Sequence, residues 1–84
     1  MYYVYILECE DGSLYTGCTN DVERRFAQHR AGKGGHYTRA KKPVRILHTE
    51  EQVDCGSALR REAEIKKMSR EKKLTLISAA NSKK

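Results

Sequence analysis

Two runs rich in β-branched and aromatic residues, Tyr2 to Cys9 and Ser13 to Thr19, flank Glu10-Asp11-Gly12, and this hairpin signature constrains the fold more than any other stretch of the chain. The turn decides which side chains share a face. A two-residue Asp11-Gly12 turn would pair Glu10 with Ser13 and send Tyr5 and Tyr15 to opposite faces of the sheet. A three-residue loop, a type I turn with Gly12 left-handed in a bulge, pairs Cys9 with Ser13 instead. It gathers Tyr3, Tyr5, Leu7, Tyr15 and Gly17 on one face. The second register is expected, because one shared face then carries two phenols.

Past the hairpin, Asn20 or Asp21 caps a helix running to about Ala31, with Gly32 stopping it. Val22 and Phe26, one turn apart, define its expected buried stripe, with His29 inside the stripe and Arg25 at its edge. The stretch from Lys33 to Pro43 is too polar and glycine-rich to pack and reads as a loop of the kind that carries binding groups. Val44 to Glu50 alternates, Val44, Ile46 and His48 against Arg45, Leu47 and Thr49, and reads as a third strand. Ser57 is the expected N-cap of a helix to about Met68, with Asp54 favourable near its positive end. Ser69 starts a third helix with Leu74, Leu76 and Ile77 as its apolar residues. The order ββαβαα predicts an α+β domain, a small three-stranded, mainly antiparallel sheet flanked by helices. Residues 1–79 form one domain, and residues 80–84 a frayed basic tail.

Eighty-four residues leave room for one small core, burying about 60–65% of the unfolded surface. The net charge of +6 is concentrated. Between Arg24 and Thr49 there is no acidic residue, while Arg24, Arg25, Arg30, Lys33, Arg39, Lys41, Lys42 and Arg45 supply eight positive charges. Such a segment is a polyanion-binding footprint, and its glycines and Pro43 argue against an interfacial membrane helix, so nucleic acid is the expected partner. Cys9, Cys18 and Cys55 are odd in number and widely spaced, which suggests reduced thiols and a cytoplasmic protein rather than a disulfide framework or a zinc site. The apolar N-terminal run is ended by Glu8 and reads as neither signal peptide nor membrane span.

Glu62 is the anomaly of the second helix. Ala58, Leu59, Ala63 and Ile65 fall on one arc at 3.6 residues per turn, and Glu62 falls inside that arc. An unpaired buried carboxylate costs several kcal/mol, so the position calls for an ion pair, a metal, a proton, or a rim location that reaches water.

Tyr5 and Tyr15 on strands, Arg25 and His29 on the first helix and Glu62 on the second are weak signals singly. In this order they resemble the GIY-YIG nuclease family, whose two short strand motifs appear here as Tyr3-Val4-Tyr5 and Tyr15-Thr16-Gly17. The resemblance runs from Tyr2 to about Ile77. It is nearest to the small single-domain bacterial branch, through Asp11-Gly12-Ser13, His36-Tyr37-Thr38 and Ala58-Leu59-Arg60-Arg61-Glu62 with Lys66. It implies hydrolysis of a phosphodiester of DNA, or of RNA, with one divalent ion. Glu62 would be the sole protein ligand of Mg²⁺ or Mn²⁺, and Arg25 would hold the scissile phosphate. Tyr5 or Tyr15 would orient or deprotonate the attacking water, and His29 would share that work or bond the phosphate. Gly17, Arg24, Lys33, His36, Tyr37, Arg39, Lys41, Lys42 and Lys66 would grip the strand, Gly17 by leaving room for close backbone approach.

The sequence departs from the family pattern at several places. Tyr3, Val4 and Thr16 replace glycine and two isoleucines, Cys18 stands where the repair branch carries a lysine, and the later asparagine of several branches has no counterpart. With no accessory DNA-reading domain, structure-selective or nonspecific action is expected. The rival readings are a nucleic-acid-binding module of the same fold without useful catalysis, and a small adaptor docked on a protein partner.

Overall fold

The computed structural model describes residues 1–32 and 42–81. Strands β1 (Tyr2–Cys9) and β2 (Leu14–Thr19) form the hairpin, followed by helix α1 (Val22–Arg30), strand β3 (Pro43–Gln52) and helices α2 (Cys55–Lys66) and α3 (Arg70–Asn81). The order is the expected ββαβαα, and both strand pairings are antiparallel, in the sheet order β2-β1-β3. The first strand is therefore the central one.

The hairpin adopts the three-residue loop. Cys9 N–H donates to Ser13 O at 2.9 Å, Gly12 N–H to Cys9 O at 2.9 Å, and Gly12 has φ of 84°. Only a residue without Cβ enters that left-handed region freely, so Gly12 fixes the register. Tyr3 faces Thr19, Tyr5 faces Gly17 and Leu7 faces Tyr15, which puts the two phenols on one face as expected.

That register divides the core in two. Val4 and Ile6, fully buried, point to one face, where they meet Ala58 and Ile65 of α2 and Ile77 of α3. Tyr5 and Leu7 point to the other, where α1 lies and contributes a fully buried His29. The sheet is thus covered on both sides, by α1 on one and by α2 and α3 on the other. Arg70 of α3 donates from Nη1 to Gly12 O at 2.6 Å, clasping the hairpin loop.

Four local expectations are corrected. Asp54, not Ser57, caps α2: its carboxylate accepts from Ser57 N–H at 2.8 Å. A carboxylate at the positive end of a helix competes well for the first free N–H groups. On α1, where Asp21 is the cap, Val22 and Phe26 are only half-buried and His29 is the buried residue. Strand β3 is longer than expected and does not alternate strictly, because its register against β1 shifts between Ile6 and Leu7 and again between Glu8 and Cys9. A bulge reverses the facing of the residues beyond it, so Ile46 and His48 lie on opposite faces, Leu47 packs against the core and Val44 is exposed. On α2, Leu59 is 51% exposed and Ala63 is exposed. The inward arc is Ala58, Arg61, Glu62 and Ile65, an i, i+3, i+4, i+7 set.

Candidate active site

The closely packed part of the site is built on the α1 side of the sheet. Tyr5 is 2% exposed, and its hydroxyl lies 3.0 Å from His29 Nε2. The Arg25 guanidinium, one turn before His29 on the same helix, acts on the same phenol, favouring its charged form. In the His29 tautomer that carries its proton on Nδ1, the phenol donates and Nε2 accepts. Tyr15 completes the group: its ring stands edge-on to His29 at 5.1 Å and tilted to Tyr5 at 6.4 Å between centroids. Arg25 also donates to Gln28 Oε1 at 3.1 Å, which steadies the guanidinium on α1.

Gly17 is what lets Tyr5 reach this position. A Cβ at residue 17 would lie 2.5 Å from the Tyr5 hydroxyl oxygen and 2.7 Å from its Cζ. The space over Gly17 is filled by the phenol of the same chain, so the close approach there is internal. Electrostatics follow from the burial. Burial pushes the Tyr5 phenol up to about 12, the Arg25 hydrogen bond pulling the other way and the Tyr15 and Glu62 charges adding to the rise. Burial also lowers the His29 imidazole below its ordinary value, with Arg25 acting in the same direction. The pair at rest is a protonated phenol and a neutral imidazole.

Glu62 arrives from the other side of the sheet. Its carboxylate accepts a weak hydrogen bond from Cys18 Sγ at 3.9 Å and lies 3.4 Å from Lys66 Nζ, one turn along α2. Its side chain is 18% exposed, a rim position with a cation beside it, and not an unpaired charge in the core. Cys18 is on edge strand β2, next in sequence to Gly17, so Glu62 and the phenols flank the same edge. Glu62 reaches Tyr5 through space and not by a hydrogen bond, a small addition to the rise that burial causes. Burial and the same carboxylate raise the Cys18 thiol, keeping it protonated. Among the described residues no three His, Cys, Asp or Glu side chains are grouped to hold a metal.

The expected strand-gripping residues divide. Arg24 is exposed at the start of α1, reaching back to Asn20 Oδ1 at 3.5 Å. Lys42 is exposed next to the hairpin loop, its carbonyl accepting from Glu10 N–H at 2.9 Å. Lys66 is committed to Glu62. Lys33, His36, Tyr37, Arg39 and Lys41 lie outside the described residues.

A polar group that the sequence pattern does not single out lies under α2. Arg61 donates from Nε to Glu50 Oε1 at 2.7 Å and from Nη2 to Glu50 Oε2 at 3.1 Å, and His48 Nε2 lies 2.8 Å from the same Oε2. Nothing local signals it, because its members come together only when β3 docks under α2. Burial would raise the Glu50 carboxyl, but the Arg61 and His48 hydrogen bonds outweigh it and hold the group below its ordinary value.

Comparison with known proteins gives matches over most of the chain. The family model described as the GIY-YIG catalytic domain matches residues 1–75. The chain is 51% identical over 77 residues to a UPF0213 protein of Natronomonas pharaonis, covering 92% of this chain and 91% of that one. It is 48% identical to a UPF0213 protein of Staphylococcus saprophyticus, covering 92% and 94%. The solution NMR structure of the UPF0213 protein BH0048 from Bacillus halodurans is similar at 50% identity, with a TM-score of 0.60 over 94% of this chain and 85% of that chain.

Proposed function

This chain belongs to the GIY-YIG family, and from that premise we propose that it is a divalent-metal-dependent nuclease that hydrolyses phosphodiester bonds of DNA, or of RNA, without strong sequence preference. The observation that carries this reading is the Tyr5 hydroxyl 3.0 Å from His29 Nε2, with the Arg25 guanidinium acting on the same phenol and the Glu62 carboxylate flanking the same sheet edge. A buried phenol at about 12 is a poor base by itself. Joined to a neutral imidazole, it can pass a proton on. Water oxygen attacks phosphorus, the water proton moves to the Tyr5 oxygen as the phenol proton moves to His29 Nε2, and the bond from phosphorus to one ester oxygen breaks, that oxygen leaving with the bonding pair and taking a proton from solvent. No free phenolate is needed. Arg25 binds a non-bridging oxygen through its guanidinium, and Tyr15 packs the imidazole in place.

Glu62 is the residue that would hold the metal. One rim carboxylate suits Mg²⁺ or Mn²⁺, which keep most of their waters, and one carboxylate with one thiol falls short of the three or four protein ligands that zinc takes. When bound, such an ion supplies charge neutralisation to the reacting phosphate. Lys66 is the natural counter-charge for Glu62 when the ion is absent.

The test is a panel of branched, single-stranded and duplex DNA and RNA with each metal, comparing wild type with Glu62→Ala, His29→Ala and Tyr5→Phe. Metal-dependent cleavage by wild type, lost in Glu62→Ala and reduced about 10²-fold or more in the other two, is expected. Equal product from wild type and Glu62→Ala counts against the reading. The raised Tyr5 phenol favours one alternative, a nucleic-acid-binding module of this fold without catalysis, for which the panel would give salt-sensitive binding and no product.

A further inference from the structure

Cys18, Val4 and Glu50 form one rung across the sheet, since Val4 faces Cys18 on β2 and Glu50 on β3. Helix α2 lies over that rung. Two consecutive residues of the helix touch its two ends: Glu62 meets Cys18 at 3.9 Å, and Arg61 meets Glu50 through two hydrogen bonds of 2.7 and 3.1 Å. Neighbours on an α-helix point about 100° apart, so these two side chains straddle the central strand, with buried Ala58 and Ile65 between them. The contacts are unequal. The Cys18 thiol is a weak donor, whereas the Arg61–Glu50 fork is bidentate and its carboxylate is held from behind by His48, 8% exposed. One end of the rung is an anchor and the other is where the helix must aim.

A chain with so small a core places a His, a Glu and an Arg where three apolar side chains would also pack. The Arg61–Glu50 pair is only part-buried, and ion pairs within reach of water add little bulk stability, so stability is not what the trio supplies best. A planar fork supplies direction: it fixes the rotation of α2 about its own axis, which apolar contacts leave freer.

We propose that the His48–Glu50–Arg61 network is a positioning device that sets the rotation of α2 and thereby aims Glu62 at the β2 edge of the site. The metal consequence rests on the nuclease reading above, while the aiming itself does not. Release of the anchor lets the helix turn about Ala58 and Ile65 and carries the Glu62 carboxylate away from Cys18.

The experiment uses the full chain and three variants: Arg61→Lys, which keeps the charge but lacks the fork, Glu50→Gln, and the exchanged pair Glu50→Arg with Arg61→Glu. Glu64→Ala is the control, removing the exposed 3.3 Å contact that Arg61 makes on its own helix. Folding is checked by amide NMR spectra, and Arg61→Lys is conservative enough to keep the test open if another variant unfolds. Two quantities are read: the NOE between Cys18 Hβ and Glu62 Hγ protons, and the affinity for Mn²⁺ alone by electron paramagnetic resonance. In folded Arg61→Lys and Glu50→Gln the NOE weakens or disappears and Mn²⁺ affinity falls about tenfold or more, while the exchanged pair regains part of both and Glu64→Ala matches wild type. Cleavage, where measured, loses kcat with KM for the oligonucleotide within about twofold. An unchanged NOE in folded Arg61→Lys overturns the proposal. If wild type binds no Mn²⁺, the nuclease reading fails, and the NOE still decides whether the network aims Glu62.

Discussion

A methyl group at residue 17 would take the space that the Tyr5 phenol now occupies, with contacts of 2.5 and 2.7 Å to its outer end. Gly17→Ala should therefore destabilise the domain by about 1–3 kcal/mol, read as a lower urea midpoint. In a Tyr5→Ala background most of that cost should vanish, because the colliding ring is gone. The His29 imidazole offers a second check at this scale. Burial and then Arg25 hold it below its ordinary value, so the unfolded chain takes up a proton here before the folded one does. Its contribution to stability is complete above the unfolded value of about 6.5 and is lost as pH falls from there toward the depressed folded value. In NMR titrations His29 should show a midpoint below about 6.5, moving upward in Arg25→Gln. The sequence already pointed to Tyr5, Tyr15, Arg25 and His29, because the three-residue turn groups the phenols, the helical period groups the basic pair and the family resemblance joins the two. It did not show that Gly17 serves Tyr5, since that requires knowing how far the phenol leans across the strand.

At the scale of elements, the hairpin was readable because one glycine decides its register, and its paired strands follow. Strand β3 was less so: a bulge has no compositional signature, and it turns Ile46 and His48 to opposite faces. Helix α2 reads from its sequence with Leu59 inward, yet Arg61 takes that side, because Glu50 waits on a strand that the local pattern cannot place. This join has a pH signature. The Glu50 carboxyl is held below its ordinary value, so its stabilising effect is full above the unfolded value of about 4.3 and is lost as pH falls through the folded one. Urea midpoints of wild type and Glu50→Gln should differ at pH 7 and converge as pH falls below about 4. A constant difference across that range would mean that the charge of Glu50 contributes nothing to the joining of β3 and α2.

For the whole molecule, the concentration of charge matters more than its sum. Of the acid-free stretch 24–49, Arg24, Arg25 and Arg30 lie on α1, the helix that carries His29, so a polyanion held by them would lie next to the site. Oligonucleotide affinity should fall with salt with a log–log slope of roughly 2 to 3 if three or four phosphates are neutralised, at about 0.7–0.9 per phosphate. Lys42→Ala should lower affinity and shrink that slope by about one contact. Fluorescence anisotropy between about 50 and 200 mM salt reads both. Among the described residues no helix is long and apolar enough to cross a membrane.

The sheet order β2-β1-β3 bears on how such a protein is made. The strand synthesised first is the one that ends in the middle, and β3, which must cover its second edge, is translated only after the whole of the hairpin, α1 and the basic segment. The clasp of Arg70 on Gly12 comes later still. On the ribosome the hairpin can close early, but Tyr5 and Glu62 cannot flank a common edge until α2 has emerged and folded back. A nascent chain therefore carries its concentrated positive charge before Tyr5 and Glu62 have been brought to one edge.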